Sequence, residues 1–136
     1  MPGETEKITI NLGFVDLGQI DLLVQEGFYS NRTDFIRTAI RNQLAAHAET
    51  VKQTVARRTL VLGLQHYTRR DLEALRGAGQ KIHIQGVGLV SIADDVSAEL
   101  ARSSIDSLVV LGTLRASAEV KAAIADRFTN HARWRP

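Results

Sequence analysis

The sequence predicts an α/β protein of two modules, a short strand with two helices followed by a C-terminal βαβαβα repeat. Three observations carry this. Residues 7–12 alternate polar and apolar side chains, and two segments of helical periodicity follow them. The apolar stripe of the second segment runs on with no Gly or Pro to stop it. Finally, Gly63, Gly88 and Gly112 lead three similar stretches, 25 and then 24 residues apart.

In the first module, Lys7, Thr9 and Asn11 fall on one face of the strand and Ile8, Ile10 and Leu12 on the other. So short a strand buries nothing alone and must borrow a partner from a second copy. Gly13 breaks it. Asp16 is the expected N-cap of the first helix, with Gln19 completing a capping box. Leu17, Ile20, Leu23 and Val24 then recur at helical spacing until Gly27. The second helix enters through Ser30 or Asn31 as cap, and its stripe runs Ile36, Ile40, Leu44 with Phe35 and Ala39 alongside. The same step continues through His47, Val51 and Val55. A long helix is therefore expected to double as the connection, with 48–50 as the place where it would break.

In the second module, Val96 aligns with Val120, Leu100 with Ile124 and Ala101 with Ala125, while Thr68 and Leu75 take the places of Ser117 and Ile124. Leu72 is slipped by one residue. Each unit reads as a strand, a turn, a short helix and a return, with Thr68–Asp71 and Ser117–Glu119 as capping pairs. Asp94 and Asp95 fall at a predicted helix entrance. Three such units give a small parallel sheet or a short solenoid resembling leucine-rich repeats.

Composition limits the function classes. The chain has 136 residues, 44% hydrophobic and 24% charged, which is globular. No apolar run approaches the ~20 residues of a membrane span, and the first residues do not read as a signal peptide. The absence of cysteine excludes disulfides and thiol chemistry and suits a reducing cytoplasm. Net charge is only +2, and residues 1–60 balance seven Lys/Arg against seven Asp/Glu. Bulk charge thus gives no reason to bind a polyanion, and any such binding must come from local placement.

Local placement does point that way. Two strands paired antiparallel would set Lys7, Thr9 and Asn11 of each chain on one face of a ribbon that fits the major groove of DNA. Lys donates to guanine, Asn bonds adenine in two places, and Thr offers a hydroxyl and a methyl. No Ser/His/Asp set or carboxylate pair suggests catalysis. His66 and His83, without a third ligand, do not make a metal site. The GVG of residues 86–88 lacks what a nucleotide loop needs and reads as a turn or bulge.

The order of strand, helix, Gly-aromatic turn and capped helix resembles the ribbon-helix-helix family of bacterial DNA-binding proteins over residues 6–47. The likeness is closest in GFYSNRTDFIRTAIR, Gly27 to Arg41. It implies an intertwined dimer whose core is Ile8, Ile10, Leu12, Ile20, Leu23, Phe35, Ile36 and Ile40. It implies base reading by Lys7, Thr9 and Asn11, and phosphate binding by Ser30, Asn31 and Arg32 at a helix N-terminus. Nickel-responsive relatives use C-terminal histidines, but their βαββαβ order differs from the βαβαβα read here.

The expected organisation is a ribbon-helix-helix domain over 1–47, a helical connection over 48–58, a three-repeat α/β domain over 59–128 and a flexible tail over 129–136. The expected function is that of a sequence-specific transcriptional regulator, a repressor, that binds double-stranded DNA as a homodimer in the cytoplasm at the nucleoid. It needs no cofactor, metal or membrane, and its repeats would mediate higher assembly or hold a protein partner. An antitoxin or a plasmid-partition protein would share the same DNA-binding end, and a structural oligomer without DNA is the reading that the balanced charge favours.

Overall fold

A computed structural model of the chain describes residues 5–128, and the tail predicted over 129–136 lies outside them. The chain divides between Thr54 and Val55 into two compact units, each considered by itself.

The first unit holds α1 (Phe14–Gln25) and α2 (Arg32–Ala46). Residues 5–13 carry neither strand nor helix. The strand expected over 7–12 is therefore not seen in the single chain, for a physical reason. A β-strand is held by its ladder, and one copy offers no partner backbone.

The expected start of α1 is corrected. Gly13, with extended backbone and no side-chain cap, is the N-cap, and Asp16 sits inside the first turn. There it complements the helix dipole without capping, and the Gln19 side chain donates back to the Val15 carbonyl at 3.3 Å. The helix ends in a Schellman motif, with Phe28 N–H bonded to the Leu23 carbonyl and Gly27 N–H to that of Val24. Gly27 takes the left-handed conformation this requires, φ 85°.

Helix α2 is capped by Asn31, whose side chain accepts from Asp34 N–H at 2.8 Å. It does not run unbroken into the connection. His47 leaves helical geometry, and α3 (Ala48–Arg57) begins after it. The interruption falls one residue ahead of the expected place, with no glycine or proline to cause it. Helix α3 ends in a second Schellman pattern, Leu60 N–H to the Val55 carbonyl and Thr59 N–H to that of Ala56. Thr59 occupies the left-handed position at φ 54°, where a β-branched residue is strained.

The second unit contains β1 (Val61–Tyr67), α4 (Arg69–Gly77), β2 (Ile82–Ile92), α5 (Ala98–Ser104), β3 (Ile105–Arg115) and α6 (Ala118–Ala123), closed by a 3-10 turn at Ala125–Arg127. The strands form a parallel sheet in the order β1-β2-β3. Ile84, Val90, Ile92, Ile105 and Leu108 of the sheet pack with Leu72, Leu100, Ala101 and Val120 of the helices, and with Ile124 just after α6, in one buried core. Thr68 and Asp71 form the expected capping box of α4, and Ser117 caps α6.

The repeat alignment is corrected in its middle copy. Ser97 caps α5, so Asp94 and Asp95 lie in a turn before the helix and not at its entrance. Counted from the caps, Leu100 takes the place of Val120, and Ser104 that of Ile124. Ser104 is fully buried and satisfies its hydroxyl on the Leu100 carbonyl at 2.6 Å. The spacing of the glycines survives because α5 runs directly into β3, which removes the return loop that α4 has.

The strands turn a corner at these glycines. A Cβ built on Gly86 would stand 2.6 Å from Val90 Cγ2, whereas residues four apart in a straight strand lie about 13 Å apart. Gly63, Gly88 and Gly112 are in register across the three strands, and all take positive φ, 127°, 135° and 113°. A Cβ on Gly88 would meet the Gly63 carbonyl oxygen at 2.2 Å, and one on Gly112 that of Gly88 at 2.1 Å. The GVG segment is thus the inner corner of β2.

Candidate nucleic-acid interface

Lys7, Thr9 and Asn11 are all exposed, and so are the residues between them. Ile8 is 73% exposed and Ile10 57%. Alternation normally sorts a strand into a wet face and a dry one, yet here both faces meet solvent. The apolar half is a surface waiting for cover.

The helices repeat this pattern. Of the expected dimer core only Ile20 is buried, at 7% exposed. Leu23, Phe35 and Ile36 are half-buried, whereas Leu12 and Ile40 are exposed. Phe14, Val15, Leu22, Phe28 and Leu44 are exposed as well, Phe14 to 92%. Sequence reasoning placed Leu44 on the apolar stripe of the second helix and missed the other four. Placing the cap at Asp16 left Phe14 and Val15 outside the helix, and Phe28 was read only as part of the turn.

The entrance to α2 places Ser30, Asn31 and Arg32 together. Ser30 N–H donates to Asp34 Oδ2 at 2.9 Å, while the Asn31 side chain holds Asp34 N–H. Tyr29 braces the turn edge-on against Phe35, with ring centroids 5.0 Å apart. In the first turn, the N–H groups of Arg32 and Thr33 have no carbonyl within the helix to bond. With the positive end of the helix dipole, such groups suit a phosphate oxygen.

Arg32 is committed elsewhere in this state. Its guanidinium makes a two-point ion pair with Asp21 of α1, at 2.7 and 2.8 Å. Its hydrogen bonds hold the Asp21 carboxyl below the usual range, and Asp21 in turn raises the Arg32 pKa. Half of each side chain is exposed, so the pair is open to competition by another anion. Nothing in the spacing of Asp21 and Arg32, eleven residues apart in different helices, announced this contact.

The histidines do not converge. His66 lies opposite Ser91 in the sheet register and His83 opposite Ser107, and the corner of β2 separates the two sites. His83 Nδ1 sits 2.6 Å from Ser107 Oγ and 3.4 Å from Asp106 Oδ2. Among the described residues no group of three or more His, Asp or Glu could hold a metal ion. No helix among them is long and apolar enough to cross a membrane.

The sequence model of the ribbon-helix-helix transcriptional regulator family matches residues 3–121. No curated protein and no solved structure matches the chain.

Proposed function

The chain belongs to the ribbon-helix-helix transcriptional regulator family, whose proteins bind DNA, typically as dimers, and are typically not enzymes. From that premise we propose that this protein is a sequence-specific repressor. Two copies pair their residues 7–12 as an antiparallel ribbon in the major groove. Lys7, Thr9 and Asn11 of each copy read base edges, and the α2 entrance at Ser30, Asn31 and Arg32 anchors the flanking phosphates.

The family match over residues 3–121 carries this reading. The uncovered apolar residues of the first unit support its dimeric part, because the single chain leaves Ile8, Ile10, Leu12 and Ile40 exposed, the kind of surface a second copy would cover. The absence of bulk positive charge makes placed contacts the source of affinity. The test is binding to fragments of the protein's own upstream region at two salt concentrations, for wild type and Lys7→Ala/Thr9→Ala/Asn11→Ala. The variant is expected to keep its fold and lose its sequence preference. Unchanged preference sinks the base-reading assignment.

A further inference from the structure

The second unit treats the two edges of its sheet differently. The chain itself engages the start of β3, where Phe128 bridges to Leu108 and Arg127 Nη1 donates to the carbonyls of Ile105 and Arg102, at 2.6 and 2.9 Å. Among the described residues no strand lies outside β1. Its sequence, VLGLQHY, has none of the Lys, Arg, Asp, Glu or Pro by which chains keep open edges apart. Instead Val61, Leu62 and Leu64 are 50%, 62% and 66% exposed.

Gly63 supplies an independent observation. At Gly88 and Gly112 the space a side chain would take is filled by the preceding strand's carbonyl. Gly63 repeats the corner conformation, yet a Cβ there would meet nothing within 4 Å. The corner of β1 keeps open the room that its neighbours give to a backbone.

The geometry points to a second copy of this chain as the occupant, its β1 lying antiparallel along β1 across a twofold axis, so that two three-stranded sheets become one. Head-to-tail stacking would need a β3 edge free from its first residue, and residues 125–128 occupy the start of that edge, at Ile105 and Leu108. A pairing of β1 against β1 asks nothing of β3 and closes on itself. Around Gly63 the meeting side chains, Val61, Leu62 and Leu64, are apolar, hence compatible with their own copies, and Gln65 and His66 lie further along the strand. A family dimer also holds a second β1 in the same assembly, at the high effective concentration that linkage confers. None of this rests on DNA contact.

The chain has no cysteine, so His66→Cys gives one labelling site on the exposed end of β1. The full-length protein carries a nitroxide there, and pulsed electron paramagnetic resonance reads the distance between copies. Paired edges with Gly63 near the axis place the labels within about 30 Å, from a strand rise of ~3.4 Å per residue. Adding Leu62→Lys/Leu64→Lys is expected to abolish that distance, and either lysine alone serves if the double variant fails to fold by circular dichroism. Solution mass is measured on the same samples. A constant dimer mass places the pairing inside one dimer, a tetramer falling to a dimer places it between dimers, and both support it. A distance unaffected by the lysines overturns it, as does the absence of the short distance from the unsubstituted edge.

Discussion

The carbonyl oxygen of Gly63 lies 2.2 Å from where a Cβ on Gly88 would stand. Gly88→Ala therefore meets two penalties, a left-handed backbone and a collision with main chain. Strain of about 1–2 kcal/mol and overpacking of about 1–3 kcal/mol predict a loss of roughly 2–5 kcal/mol. Gly112→Ala, which meets the Gly88 carbonyl, should match it. Gly77 ends α4 with ordinary backbone and open space around it, so Gly77→Ala should be neutral or stabilising by about 0.5 kcal/mol. Urea unfolding followed by circular dichroism checks the order.

Thr59 offers the opposite prediction. It occupies the left-handed end of α3 with both Schellman hydrogen bonds formed. Thr59→Gly should relieve about 1 kcal/mol, the penalty for an L side chain in that region less the extra freedom of glycine in the unfolded chain. A higher denaturation midpoint with an unchanged slope is expected. A lower midpoint would show that the Thr59 side chain makes a contact worth more than its strain.

Ile10→Glu should separate the copies. The residue is exposed in the single chain and would enter the dimer core proposed above, where an unpaired carboxylate is strongly unfavourable. Sedimentation should show loss of the dimer, or of the ribbon's share in a larger assembly, and anisotropy titration should show loss of DNA binding. In the wild type, unfolding of the first unit should shift to higher temperature with protein concentration, as for any fold completed by association.

Asp21→Asn should release the Arg32 guanidinium. If Arg32 then reaches phosphate, affinity for DNA should fall more steeply with salt, the slope growing by roughly 1 for each added contact. Arg32→Ala should not steepen it. Titrations at several salt concentrations separate the two, and equal slopes in all three proteins would remove Arg32 from the phosphate contacts.

Acid should weaken the fold through three carboxylates. Asp21 is held below its usual range by Arg32, Asp71 by hydrogen bonds with Thr68, and Asp126 by the hydrogen bond from Arg102. A depressed folded pKa means stabilisation that is full above the unfolded carboxylate value, about 3.9, and disappears as pH falls through the folded one. Melting temperature should accordingly drop below about pH 4. Asp71→Asn should flatten that drop, and an equally steep drop would place the sensitivity elsewhere.

Much of the molecule was legible because local rules act on local sequence. The Thr68–Asp71 box, the Gly27 stop, the Asn31 cap and the glycine spacing all follow from residues within a few positions of one another. The misreadings share a cause. Asp16 competed with Gly13 for a cap, and the winner depended on where the chain entered the helix. The middle repeat moved its helix by one turn and dropped a loop to compensate, which left the glycine spacing intact and the alignment misleading. The Asp21–Arg32 pair and the corner at Gly88 come from tertiary placement, which no window of sequence holds. The strand over 7–12 is legible as a pattern, but a pattern becomes a ladder only when a second backbone arrives.

The hold of residues 125–128 on the start of β3 also bears on how such a chain could lengthen. A further repeat appended after Phe128 would first have to strip Arg127 from the carbonyls of Arg102 and Ile105. One inserted before Val61, or between existing glycines, would disturb no such lid and would find the Gly63 corner already shaped to receive it.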